Sequence, residues 1–373
     1  MDLPIIGWLD FYRPPFRRIP ASTVALGGTK RHLQGDISLA EPATPFFGIG
    51  AMRAGTTLLT TLLESYPDCG MMPIKELHFF DVRHGKYPGV QLYRSMAKRL
   101  AALSQNIVDR VGVALDELRA EAKEERAVDY DLNGLTAKRN FIPWTDEIRG
   151  RFFALAKLDR DLREIADIVD FFSIRDFRSY VDYLRRNSVG AAAFGEITPA
   201  YGLLPATAFM EMDSLFPNVC FIFIMRDPVD RLWSHVRYKA DRAELKGRKP
   251  GDINTDFRDT LQQPDIIGRS SYQDTIKELE KAIPTQRILY LFYETLTSPE
   301  TGPAEIRRIE AALGLKHREA NPGFFSKPIN ASSPAKLTPE NEAVAMQLFS
   351  PVYAFVEKRF GQQPGWRLLR ESP

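Results

Sequence analysis

The sequence predicts an α/β protein, with a P-loop-like central parallel sheet flanked by helices and carrying a helical insertion. Three observations predict it. Four apolar runs, "PFFGIG", "AAAFGEI", "VCFIFIMR" and "RILYLFYE", have the length of buried strands and alternate with helical segments. The first run passes through a glycine turn straight into a helical pattern, the setting a phosphate-binding loop requires. The polar residues gather where the runs end, and in a parallel sheet that edge is where ligands bind.

Residues 1–44 are rich in Pro, Gly and Arg and read as an extended N-terminal arm before a single α/β domain over 45–373. The opening "MDLPIIGWLDFYRPPFRRIP" lacks the basic-then-apolar order of a signal peptide. "PFFGIG" is the first strand, and "TTLLTTLLESYPDCG" is a helix stopped by Pro67 and Gly70. From about 94 to 190 the texture turns to charged helical segments such as "LDELRAEAKEERA", predicting an insertion or cap where acceptor specificity is expected. Three further strands follow, separated by helices around 203–216, 228–245 and 271–282. No internal repeat or low-complexity tract interrupts them.

Fifty Lys and Arg against 48 Asp and Glu leave a formal charge of +2, so no global field makes nucleic acid a partner and any anion affinity is local. No run of about 18 apolar residues occurs, which argues against a membrane span and for a cytoplasmic protein. Cys69 and Cys220 are too few for a disulfide framework and read as small buried hydrophobes. Oligomeric state is not legible.

"GIGAMRAGTT" resembles a Walker loop, G-x-x-x-x-G-K-[ST], except that Thr56 stands at the lysine position and the only cation is Arg53. Backbone N–H groups from Gly50 through Ala54 and Gly55, with the helix start at Thr56 and Thr57, form a pocket of partial positive charge. Arg53 adds a charge-assisted hydrogen bond. A second anion site is offered by "MRDPVDRLWS", with Arg226 at a strand end and Ser234 about two turns into the helix opened by Pro228. Its plainer reading is an arginine paired with Asp227 or Asp230 and a serine facing solvent. In "KELHFFD", Glu76 is a candidate general base, and alternation along an extended segment puts His78 on the same side. The plainer reading is a surface carboxylate beside a half-buried histidine.

Taken in order, I-G-x-x-R-A-G-T-T, K-E-x-H-F-F-D, G-E-x-T-P-A-Y and F-I-x-x-x-R-D-P-x-x-R-x-x-S resemble the sulfotransferases that use 3′-phosphoadenosine 5′-phosphosulfate (PAPS). The pattern is nearest the heparan sulfate and carbohydrate branch and its bacterial relatives, and covers roughly 45–95 and 190–365. The resemblance implies transfer of a sulfuryl group from PAPS to a hydroxyl or amine, with no metal. It places Arg53 to Thr57 on the 5′-phosphosulfate, Arg226 and Ser234 on the 3′-phosphate, and Glu76 as base with His78 as second choice. The branch often carries a lysine where this chain has Ile197, so the cation there must come from elsewhere. Lys327 and Lys336, in a late lysine-bearing loop, are the candidates, and Arg269 and Ser270 of "GRSSY" line the nucleotide by a weaker match. The competing readings are a P-loop kinase or nucleotide hydrolase, which needs the loop lysine and magnesium ligands, and a non-catalytic nucleotide-binding protein. A dehydrogenase fits worse, because Gly48 and Gly50 are followed by Arg53 and not by a third glycine.

Overall fold

The computed structural model describes residues 43–87, 89–125, 146–247, 251–319, 323–326 and 335–367. Of the expected arm, residues 1–42 lie outside the described residues, and Thr44 already opens a strand.

Contacts divide the chain into two compact units, one of residues 1–88 and 175–373, the other of residues 89–174. The first unit begins with β1 (Thr44–Gly50), α1 (Thr56–Glu64), β2 (Cys69–Met71) and α2 (Phe79–Arg83). The second holds α3 (Gly89–Glu125) and α4 (Asp146–Phe171). Those two helices pack on each other, with Tyr93 stacked on Phe172 at 5.7 Å and Arg110 paired with Asp161 at 3.3 Å. The first unit resumes with α5 (Phe177–Arg186), β3 (Ala193–Ile197), α6 (Ala206–Leu215), β4 (Cys220–Met225) and α7 (Pro228–Glu244). It continues through α8 (Ile253–Thr260), α9 (Pro264–Ile267), α10 (Tyr272–Ala282), β5 (Ile288–Phe292) and α11 (Tyr293–Thr297). Helices α12 (Gly302–Leu313), α13 (Gly323–Ser326) and α14 (Pro339–Phe360) complete it.

The five strands form one sheet in the order β2-β3-β1-β4-β5, and every pairing is parallel. A parallel sheet is covered on both faces, so its strands read as unbroken apolar runs instead of alternating ones. On one face Phe46, Ile222, Ile224 and Leu291 pack with Leu59 and Leu63 of α1 and Ile306 and Ile309 of α12. On the other, Phe47 meets Phe80 and Phe221, and Phe223 meets Tyr272.

Two expectations need correction. The first helix ends at Glu64, short of Pro67, and Gly70 lies inside β2 instead of marking a helix stop. β2 itself was not expected: three half-buried residues, "CGM", present no periodicity for a sequence to show. Among the described residues, no helix is long and apolar enough to cross a membrane.

Candidate active site

The loop between β1 and α1 sits at the carboxyl end of the central strand. Its backbone is turned by three positive φ angles, 141° at Gly50, 68° at Arg53 and 102° at Gly55. Gly55 has a second reason to be glycine, since a Cβ there would lie 2.5 Å from Cδ2 of Tyr293. The loop is tied to β4 by the Ala51 N–H, which donates to the Ile224 carbonyl at 2.7 Å. No side chain caps α1 at Gly55, so the N–H groups of its first turn, lacking intrahelical acceptors, are available to an anion. Ala54 and Thr56 are buried, and Thr57 is half-buried.

Arg53 reaches across to α7, where its Nε and Nη2 donate to the Ser234 hydroxyl at 3.2 and 3.1 Å. Its guanidinium lies 4.6 Å from the centre of the Tyr238 ring. Arg226, at the end of β4, lies 4.6 Å over the Tyr293 ring, the ring that also presses on Gly55. The plainer reading of the R-D-P segment therefore fails on both counts. Ser234 is buried, and Asp227 and Asp230 are engaged by Arg367 at 2.7 and 2.8 Å instead of by Arg226.

Around Arg226 and Ser234 arginine and histidine side chains with buried nitrogens cluster, while the buried Asp227 carboxylate beside them is taken up by Arg367. Arg231 is fully buried, donating from Nε to Ser270 Oγ at 2.5 Å and from Nη2 to the Ile266 carbonyl at 3.0 Å. Arg226 Nε, Arg231 Nη1, Arg269 Nη1 and both ring nitrogens of His235 are buried with no hydrogen-bond partner among the described residues. Burial, with Arg269, Arg226 and Arg53 nearby, lowers the Arg231 guanidinium to about 10. Burial beside Arg231, Lys239 and Arg269 holds the His235 imidazole down at about 3. Arg53 is likewise lowered, by burial first and then by Arg226 and Arg237. Unpartnered buried N–H groups carry a desolvation cost, and an anion is what relieves it.

The segment Lys75–Phe80 reaches the end of the loop through Lys75, whose Nζ donates to Thr57 Oγ1 at 2.8 Å. Glu76 Oε2 is 3.6 Å from His78 Nε2, and His78 Nδ1 is 2.7 Å from Asp81 Oδ2. The expected proximity of Glu76 and His78 holds, but extended alternation is not its cause. Both residues are left-handed, with φ of 60° and 53°. Backbone held in that region by non-glycine residues needs surrounding structure to over-determine it, and Glu196 supplies that structure. Its buried carboxylate accepts from the Leu77 N–H at 3.1 Å, from Thr198 Oγ1 at 2.6 Å, and from the hydroxyls of Tyr201 (2.9 Å) and Tyr180. The Tyr201 hydroxyl in turn accepts from the Phe79 N–H at 3.0 Å. Burial raises the Glu196 carboxyl, and the four donors oppose that shift.

His78 is protonated at neutral pH. Burial alone would lower its pKa, but the hydrogen bonds and charges of Asp81 and Glu76 outweigh this and push it up to about 9. Its ring stacks on Tyr87 at 4.1 Å. An imidazolium cannot accept a proton, and the Glu76 carboxylate beside it is one-third exposed.

Of the remaining candidates, Lys327 lies outside the described residues. Lys336 is exposed, and its carbonyl accepts from Asn254 Nδ2 at 3.4 Å. Ile197 is buried against Gly48, which explains why that position offers no cation. Sequence reading missed Asp81, Glu196 and Lys75, whose Nζ donates to Thr57 Oγ1 at 2.8 Å. All three stood inside the quoted motifs, but only the folded chain shows what they touch. Among the described residues no three His, Cys, Asp or Glu side chains are grouped to hold a metal ion.

Comparison with known proteins places the chain in a family. A family model described as "Sulfotransferase family" matches residues 45–319, well over half of the chain. None of the curated proteins compared matches it. Among solved structures, a sulfotransferase from Alicyclobacillus acidocaldarius is similar at 16% identity and a TM-score of 0.48, covering 86% of this chain and 96% of that one. The sulfotransferase domain of the Synechococcus PCC 7002 olefin synthase is similar at 17% identity and TM-score 0.37, covering 85% and 98%. The sulfotransferase STF9 from Mycobacterium avium is similar at 18% identity and TM-score 0.35, covering 87% and 79%.

Proposed function

The chain belongs to the sulfotransferase family, and from that premise we propose that it moves the sulfuryl group of PAPS to a hydroxyl or amine of a carbohydrate or small-metabolite acceptor. The observation that carries the choice of donor is the set of buried, unpartnered cationic N–H groups beside an uncapped helix N-terminus. A nucleotide with phosphates at both its 5′ and 3′ positions is an anion at two places, and this chain offers cations at two places.

The loop amides and Arg53 take the 5′-phosphosulfate. Arg226 and Ser234 take the 3′-phosphate. Ser234 accepts both Arg53 contacts, and its own O–H remains free to donate. Arg53 and Ser234 thus link the two ends of the nucleotide site.

In the reaction the acceptor oxygen attacks sulfur, and the bond from sulfur to the 5′-phosphate oxygen breaks as the new S–O bond forms. The electron pair leaves on the phosphate, and the acceptor proton passes to the Glu76 carboxylate. His78, charged and hydrogen-bonded to Asp81, holds Glu76 without competing for that proton. Charge growing on the leaving phosphate is met by Arg53 and the loop N–H groups, where one such donor is worth about 3 kcal/mol.

Transfer of labelled sulfate from PAPS to a panel of glycans, sterols, phenols and amines, with labelled ATP as control, tests the reading. Label from PAPS in an acceptor supports it. Phosphoryl transfer from ATP assigns a kinase, and binding without transfer assigns a non-catalytic protein.

A further inference from the structure

We infer that Lys75 is the second cation on the transferring group and does at this loop what a Walker lysine does at its own; this rests on the donor assignment above. The residue at the Walker lysine position, Thr56, is buried and uncharged. The neighbouring hydroxyl, Thr57, is the one that binds magnesium in a Walker loop. Here it accepts the Lys75 ammonium at 2.8 Å, so a positive charge already stands at the first turn of α1.

That charge comes from a segment outside the loop. Lys75 adjoins Glu76, so the cation and the base are delivered by consecutive residues. Their placement is specified by the left-handed turns at Glu76 and His78 and by the hydrogen bonds that Glu196 and Tyr201 accept from the Leu77 and Phe79 N–H groups. Arg53, which also serves the 5′-phosphosulfate, is shared with Ser234 through two of its N–H groups, so a second cation at the transferring group has a role to fill. Of the two lysines named for the late loop, Lys327 lies outside the described residues and Lys336 is exposed, its carbonyl taken by Asn254 Nδ2 at 3.4 Å. Lys75 is exposed and carries two N–H donors beyond the one Thr57 accepts. An ammonium bonded to the first turn of α1, from the residue next to the proposed base, is within the reach of a group transferred from the loop to an acceptor at Glu76. There it neutralises charge on the sulfuryl oxygens and on the 5′-phosphate oxygen that keeps the bonding pair.

Lys75→Ala and Lys75→Arg test the assignment, because adenosine 3′,5′-bisphosphate carries the nucleotide contacts without the sulfuryl group. The expected result for Lys75→Ala is a fall in kcat of about a hundredfold, with bisphosphate affinity by calorimetry changed less than threefold and with partial recovery in Lys75→Arg. An unchanged kcat in Lys75→Ala overturns the role, as does a loss confined to bisphosphate affinity. A wild-type chain that transfers nothing from PAPS overturns the donor assignment, and Lys75's role with it. Wild-type transfer beside an unaffected Lys75→Ala overturns the Lys75 role alone.

Discussion

The Arg53 guanidinium and the Ser234 hydroxyl, 181 residues apart in sequence, are joined by two hydrogen bonds of 3.1 and 3.2 Å. The pair ties the loop after β1 to the helix after β4, so the two proposed anion sites are expected to be coupled. Ser234→Ala removes a phosphate donor and leaves two Arg53 N–H groups without their acceptor. The expected outcome is a weakening of bisphosphate binding by about tenfold, equivalent to roughly 1.4 kcal/mol. A double-mutant cycle with Arg53→Ala is expected to return a coupling of about 1 kcal/mol; calorimetry reads both.

Glu76→Gln keeps size and polarity but removes the proton acceptor. Turnover is expected to fall by a factor of about 10² to 10⁴ with bisphosphate affinity unchanged. Turnover equal to wild type removes Glu76 from the role of base.

His78 sets a pH dependence of stability. Its folded pKa, about 9, lies above its ordinary value of 6.5. Its contribution is therefore complete below about pH 6.5 and is lost as pH rises through 9. The Tm difference between wild type and His78→Gln should be largest at pH 6 and shrink above pH 9. A difference that grows with pH contradicts the charged imidazole.

Glu196→Gln tests how the base is held. The amide replaces one acceptor oxygen by an NH₂ group, leaving donors among Leu77, Thr198, Tyr180 and Tyr201 unsatisfied in a buried site. A loss of about 2 kcal/mol in urea unfolding is expected, together with a kcat deficit that exceeds any change in bisphosphate affinity. Equal losses in both assign Glu196 to stability alone.

The far end of the chain reaches the same site from behind. Asp227, next to Arg226 and fully buried, accepts from the Arg367 N–H at 2.9 Å, from Arg367 Nη1 at 2.7 Å and from the Tyr353 hydroxyl at 2.8 Å. Trp366 Nε1 donates to Glu294 at 2.8 Å, and Glu294 accepts the Asp227 N–H at 3.0 Å. Arg367→Met strips a buried carboxylate of its cation. It should cost about 3 kcal/mol in thermal or urea unfolding while weakening bisphosphate binding through Arg226.

What the sequence revealed follows from where the information is local. β1, β3, β4 and β5 were legible because strands buried on both faces must be continuously apolar, and the loop was legible because Gly55 has no room for a Cβ beside Tyr293. β2 was not, since pairing with β3 and not its own pattern makes it a strand. Glu76 and His78 could be nominated from the motif, but the turn that joins them is fixed by Glu196, more than a hundred residues away. The Arg53 contact to Ser234 and the Arg367 contact to Asp227 depend on tertiary packing that no spacing encodes.

The central claim is that the loop and the arginine cluster hold a nucleotide with a 3′-phosphate. Calorimetric titration of the wild-type chain and of Arg226→Ala with adenosine 3′,5′-bisphosphate and with ADP, in magnesium-free buffer, tests it most directly. Wild type is expected to bind the bisphosphate more tightly than ADP, and Arg226→Ala to lose this preference. Equal binding of the two nucleotides by wild type, or a preference that survives Arg226→Ala, would contradict it.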